Sequence, residues 1–351
     1  MAYKAVPVTV RKVGYKRPKK KRFPVALMIA ADVIAAALLL LIFYVTNYEI
    51  QTETGPIESL PLPSWMTSAT PASTPSESVA APTATAQQPT PTATIDPNDW
   101  RAKFADKFTD GAVEQTDTSY RSANISVTIE KVQHERLTYF VADIYVAELK
   151  YFRTAFAKEA DTMGHEESTP KIAEEVGAVI AINGDFSSRN KELGVVLRNG
   201  QPYYKSHPSS DQLVMFYDGT MKVYSPDEFD YDTVTAAGAY QIWTWGPMLL
   251  HGGQAMTDFN MPRSIGGVDP RTAIGYYEPG HYCFVLVDGG QGSYSEGMKL
   301  TELSQLMQDL GCTEAYNLDG GHSSEMAFFG EFVNQPEDGG RRCSDIVYIG
   351  E

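Results

Sequence analysis

Residues 99–351 predict an α+β fold, a mixed or mostly antiparallel β-sheet core with a few packed helices, preceded by a transmembrane helix and a disordered stalk. Three observations carry that expectation. Short apolar runs end abruptly in Gly and Asp, as in Ala178–Asp185, Tyr282–Gly290 and Ala315–Gly321. Runs of that length closed by turn residues read as buried strands. Other segments alternate in polarity, and only two stretches have helical spacing.

In chain order, the first 24 residues hold nine Lys or Arg and no acid. The 21 residues Val25–Val45 follow, with Asp32 as their single charge. At about 1.5 Å per residue they span roughly 31 Å, a hydrocarbon thickness. Thr46-Asn47-Tyr48-Glu49 is a poor cleavage site, so an uncleaved anchor is expected. The basic flank keeps residues 1–24 in the cytoplasm and puts everything after Val45 outside a cell membrane crossed once. Asp32 in such a span would face a partner helix or be tolerated. Residues 46–98 are rich in Pro, Ser, Thr and Ala and read as a stalk unable to bury a core. Extended at about 3.1 Å per residue, it would reach more than about 100 Å.

The remaining residues, 99–351, have the length of one large domain. Nine of the 29 Lys and Arg lie in the first 24 residues, which leaves 20 against 44 Asp and Glu for the rest. An exterior so acidic argues against nucleic acid and against docking on anionic lipid. It also requires local cations for any anionic substrate. Three cysteines give no disulfide framework. Cys283 is expected in a buried strand, and a Cys312–Cys343 bridge is left open.

Ile125–Lys131 and Tyr139–Leu149 alternate, which predicts paired strands with one exposed face. Ser168-Thr169-Pro170 opens a short helix that Gly177 ends. Leu213–Tyr217, Asp218-Gly219 and Met221–Tyr224 form a hairpin. Leu303, Leu306, Met307 and Leu310 share one face of a helix over Thr301–Leu310, closed by Gly311. Trp243 and Trp245, near the Gly246-Pro247 turn, are either core residues or a surface for a sugar ring.

Asp319-Gly320-Gly321-His322-Ser323-Ser324 is the most site-like stretch. Its glycines let the backbone turn and approach a ligand, and its amides and hydroxyls can cradle an anion. Asp288-Gly289-Gly290 and Asn183-Gly184-Asp185 repeat the design, so three strand ends are expected to converge on one cleft. Asp269-Pro-Arg-Thr-Ala-Ile-Gly275 adds Arg271, whose planar fork suits a phosphate or carboxylate and equally an ordinary ion pair. Asp185, Asp288, Asp319 and Asn183 are also oxygen ligands of the kind Ca²⁺ or Mg²⁺ prefers, without the Asp-x-Asp spacing of a calcium loop. No cofactor is required, and the metal ligands, if any, are not assigned.

Four segments in order resemble the phosphodiester glycosidase family: Ala181–Phe186, Asp269–Gly275, Val287–Gly290 and Asn317–Ser324. Arg198-Asn-Gly200 and Trp245-Gly-Pro247 look like further landmarks, and the likeness covers roughly residues 120–350. The resemblance implies hydrolysis of a sugar–phosphate linkage at the anomeric carbon, with an envelope glycan or glycosyl phosphodiester as substrate. It implies Asp319, Asp288 and Asp185 as catalytic carboxylates. Asn183, Arg271, Thr272, Gly289, Gly320, Gly321, His322 and Ser323 would bind sugar or phosphate. Because phosphate is already a good leaving group, stabilising its charge outweighs protonating it. The chain departs from the family at Gly290, where Arg is usual, and at His322, where a small residue is usual. A non-catalytic module that binds or assembles envelope polysaccharide is the alternative that the same cleft allows.

Overall fold

The computed structural model describes residues 33–40, 60–67, 99–159, 164–185, 194–261 and 263–351. The chain divides into two compact units, Met1–Asn47 and Tyr48–Glu351. In the first, residues 33–40 are helical, with Val33, Ile34, Leu38, Leu39 and Leu40 exposed. The rest of the expected 25–45 span, and the basic tail, lie outside the described residues. Among the described residues no helix is long and apolar enough to cross a membrane.

Among its described residues the second unit is built from three sheets whose strand pairs are antiparallel. The largest has nine strands, with Leu137–Val146, His281–Val287, Arg271–Glu278 and Glu314–Asn317 adjacent at its centre. A five-stranded sheet holds the expected hairpin, Gln212–Phe216 with Met221–Tyr224, beside Ala239–Trp243, Val195–Arg198 and Gln201–Lys205. The other five-stranded sheet sets Ile180–Asn183 between Met326–Phe328 and Asp345–Ile349. The single central sheet implied by the apolar runs is therefore divided, with Ile180–Asn183 in a different sheet from the other two runs.

Leu137–Val146 is buried on both faces, not one. One face joins the core shared by all three sheets, through Phe140, Ile144, Leu213, Trp243, Ile182 and Val347. The other, with Tyr139 and Val141, packs under the amphipathic helix Leu300–Asp309, which carries Leu303, Leu306 and Met307. The short helix begins at Thr169, with Pro170 in its first turn, and Gly177 follows at positive φ. Residues 60–67, assigned by composition to the stalk, dock on the second core instead. Leu60, Leu62, Trp65 and Met66 pack there, Pro61 accepts a hydrogen bond from Tyr139, and Ser64 bonds Glu130. These few large side chains are what the surrounding Pro/Ser/Thr-rich sequence lacks. Residues 68–98 lie outside the described residues.

All three cysteines are free, and the close pair is not Cys312–Cys343. Cys283 and Cys312 lie with sulfurs 3.6 Å apart, because Gly275 opposite Cys283 leaves room for both.

Candidate active site

The strand Glu314–Asn317 delivers Asp319 to the wall of a cavity of about 420 Å³. The cavity is lined by Asp319, Gly320, Gly321, His322, Asp269, Arg271, Asn317, Trp245, Ile265, Glu337 and Arg341. Asp319 Oδ2 accepts a 2.9 Å charged hydrogen bond from Arg341 Nη2, and Arg341 Nε donates to Ser323 Oγ at 2.8 Å. Burial pushes the Asp319 carboxyl up, against the opposing pull of Arg341, Ser323 and the Gly320 amide. Asp269 enters from the start of Arg271–Glu278. Burial raises its pKa too, against the fields of Arg271, His322 and Arg341. Among the described residues no hydrogen bond reaches the Asp269 side chain, so a water or substrate can take its oxygens. Trp245 reaches the wall with its backbone at φ 90°. That conformation costs an L-residue about 1–3 kcal/mol and is found at functional sites. Trp243 is fully buried core.

The strand ends at Asn183 and Asp319 meet, but of the three carboxylates only Asp319 lines the cavity. Asp185 is buried, bonded by Arg198 Nη2 at 2.8 Å and by the Thr244 amide at 2.9 Å. Arg198 also bonds Asp345 at 2.9 Å, so one guanidinium bridges two carboxylates between two sheets. Gly184 is required there: a Cβ would lie 2.2 Å from Asp345 Oδ1. Asp288 is also withdrawn. Its carboxylate accepts from Tyr294 at 2.8 Å, Asn334 at 2.8 Å and the Gln335 amide at 3.1 Å. Burial still raises its pKa, against those donors. Asp288 thus anchors the 334–341 loop, which carries Glu337 and Arg341 to the cavity.

The binding residues divide similarly. Asn183 donates to the Asp319 carbonyl at 2.8 Å and accepts from Thr272 at 2.8 Å and the Glu325 amide at 3.1 Å. Asn183 and Thr272 therefore hold the Asp319 turn from behind. Arg271 lines the cavity but donates to the carbonyls of Met298, Ile265 and Gly267. Burial lowers its pKa to about 10. It braces the wall, and Arg341 is the cation joined to the carboxylate. The anion cradle of residues 320–324 is largely closed as well. The Gly321, Ser323 and Ser324 amides donate to the carbonyls of Pro270, Gly320 and Gly321. Gly289 packs against Pro270, where a Cβ would lie 2.8 Å from the ring. His322 is half exposed, with Nε2 3.3 Å from Asp338 and Nδ1 3.9 Å from Glu337.

Sequence reasoning missed Arg341 and Glu337 and gave Asp269 no role. Arg341-Arg342 is the only pair of adjacent cations beyond residue 24, a signal the sequence offered. For a metal, the Asp185, Asp288 and Asp319 side chains go to separate partners. Among the described residues no group of three or more His, Cys, Asp or Glu is placed to hold one.

The model of the family described as phosphodiester glycosidase matches residues 176–350. The SPbeta prophage-derived uncharacterized protein YomE of Bacillus subtilis (strain 168) is 29% identical over 185 residues, covering 51% of this chain and 29% of YomE. The chain thus spans under a third of that relative's length. Among solved structures, the catalytic domain of zebrafish N-acetylglucosamine-1-phosphodiester alpha-N-acetylglucosaminidase, auto-inhibited by its pro-peptide, is similar in fold. Its TM-score is 0.52 at 19% identity, covering 70% of this chain and 86% of that one. A hypothetical protein from Synechocystis has a TM-score of 0.49 at 15% identity, covering 68% of this chain and 64% of that one.

Proposed function

Because residues 176–350 form a domain of the phosphodiester glycosidase family, we propose that this chain hydrolyses a sugar-1-phosphodiester linkage in envelope glycans or glycopolymers. In this reading residues 25–45 anchor it in the cell membrane, and the domain works on the outer side. The observation that carries the proposal is the meeting of Asp319, Asp269 and Arg341 in one cavity of sugar size.

The reaction breaks the bond from the anomeric carbon to the phosphate oxygen, and the electron pair leaves with the phosphate monoester. Arg341, about a third exposed beside Asp319, stabilises that departing charge with help from His322. Asp319, bonded to Arg341, faces the positive charge that develops on the sugar. Asp269, with burial raising its basicity and no donor among the described residues occupying it, takes the proton of the attacking water. Trp245 supplies an apolar wall for the ring. Asp288, Asp185, Asn183 and Thr272 act by positioning these groups.

The test is the full-length chain in detergent, given an α-N-acetylglucosaminyl phosphodiester and a phosphodiester-linked wall glycopolymer. Release of reducing sugar with equimolar phosphate monoester is expected. No release from either, with the polymer retained on the protein, would replace the hydrolase with a binding module. Deleting residues 25–45 is expected to move the protein from the membrane to the soluble fraction. If it stays in the membrane, the anchor assignment fails.

A further inference from the structure

One charged wall of the cavity has no part in the reaction just described. Glu337 opens the turn Glu337–Gly339, lines the cavity with Arg341 and His322, and keeps its side chain 23% exposed. Among the described residues its carboxylate receives no hydrogen bond. The nearest basic side-chain nitrogen there is His322 Nδ1, at 3.9 Å. Gly290 makes this placement possible. Its φ is 67°, and a Cβ on it would lie 2.0 Å from Glu337 Oε1. The carboxylate fills the space that any side chain at 290 would enter.

The neighbouring charges are engaged. Arg341 bonds Asp319 and Ser323, and Arg271 bonds three carbonyls. A phosphodiester held at Arg341 therefore has, a few side chains away, an acceptor whose charge no Lys or Arg among the described residues neutralises by direct contact. A second anionic group there would be repelled, and a neutral hydroxyl would use only part of its strength. A cation would form a charge-assisted hydrogen bond. The exterior points the same way. Beyond residue 24 the chain carries 20 Lys and Arg against 44 Asp and Glu, a field that repels net anions and is indifferent to a zwitterion.

We propose that Glu337 is a specificity residue that receives a primary ammonium group of the substrate, so that the preferred substrate is a zwitterionic glycosyl phosphodiester. The inference rests on the glycosyl phosphodiester reading of the cavity. The ammonium has two sources, a free 2-amino group on the sugar or an aminoalkyl arm on the phosphate, and the experiment separates them.

Three phosphodiesters are compared on the full-length protein: an N-acetylated sugar with a hydroxyethyl arm, the same sugar with an aminoethyl arm, and the free 2-amino sugar with a hydroxyethyl arm. Both kcat/KM and Kd by calorimetry are read. One ammonium-bearing substrate is expected to exceed the neutral one by about tenfold, the scale of a charged hydrogen bond at a partly exposed group. That ratio should fall towards one in Glu337→Gln, invert in Glu337→Lys, and shrink in the wild type as salt is raised. Equal values for all three substrates overturn the proposal, as does a preference that survives in folded Glu337→Gln. If the variants do not fold, a wild-type preference insensitive to salt overturns it. If nothing is hydrolysed but Kd still favours the ammonium, Glu337 keeps its role and the hydrolase reading fails. If Kd values are also equal, both fail.

Discussion

Strands His281–Val287 and Glu314–Asn317 flank Arg271–Glu278 in the same sheet, and both pair antiparallel to it. They therefore leave the sheet at the same edge, and each runs into Asp-Gly-Gly. Asp288 meets Tyr294, Asn334 and Gln335, three neutral donors that fill its oxygens and close it from solvent. Asp319 meets Arg341 and Ser323 and stays at the cavity wall. One triplet fixes a loop, and the other presents a carboxylate. The two are joined, because the loop tied down by Asp288 brings Arg341 to Asp319. Gln291 and Gln335 reinforce that tie with two 2.6 Å hydrogen bonds.

The strongest way to break the comparison is to neutralise each aspartate in turn. Asp319→Asn is expected to lower kcat by about 10³-fold or more, with little loss of stability, as for a group acting in the transition state. Asp288→Asn should instead lower the melting temperature, by the equivalent of about 1–3 kcal/mol, since buried donors lose a charged acceptor. Steady-state kinetics and thermal melts on both variants separate the roles. Equal kinetic losses with equal melting temperatures would end the distinction. Arg341→Met is next, at about 10²-fold in kcat. Arg341→Lys should recover part of that, because a point charge replaces a fork.

Much of this fold was legible in the sequence, and the reason lies in local patterning. The helices at Thr169 and Leu300, the hairpin at Asp218-Gly219 and the apolar strands are set by spacing and turn residues within a dozen positions. The roles of Asp185, Asp288 and Asp319 are set by partners from elsewhere: Arg198, Asn334 and Arg341. Nothing within the Asp-Gly-Gly triplets distinguishes them, so identical motifs read identically. Residues 60–67 fail for a related reason. Four large side chains in a stalk-like composition become informative only beside the apolar face of Tyr139 and the Leu300 helix.

A third carboxyl lies behind the loop that joins the two triplets. Burial pushes Glu325 up to about 7, against its bonds from the Thr169 and Arg341 amides. A carboxyl with a folded pKa above its unfolded value of about 4.3 favours the native state most when protonated. Its contribution is fully present below about pH 4.3 and is lost as pH rises through about 7. Glu325→Gln should therefore gain stability relative to wild type between pH 5 and 8, by on the order of 3 kcal/mol. Denaturant melts across that range read the difference. A constant offset between the two proteins would show that Glu325 does not titrate there.

The smallest effect tests the Asp288 side most finely. Tyr294 donates one 2.8 Å hydrogen bond to Asp288 Oδ2, while Asn334 and Gln335 supply the others. Burial and the adjacent Asp288 raise the Tyr294 pKa, so the phenol remains a donor through neutral pH. Tyr294→Phe deletes that donor and keeps the ring. Its expected cost is about 1 kcal/mol, because the remaining donors still hold the carboxylate and the site is partly open to water. If Asp288 is an anchor, kcat should fall modestly with its pH dependence unchanged, since a looser 334–341 loop places Arg341 less well for the charge it stabilises. If Asp288 itself handles protons, losing a hydroxyl that stabilises its ionised form should raise its pKa and shift the acid limb of kcat to higher pH. A pH profile of kcat for Tyr294→Phe therefore distinguishes an anchor from a second catalytic carboxylate. An unmoved acid limb is the outcome the structure favours.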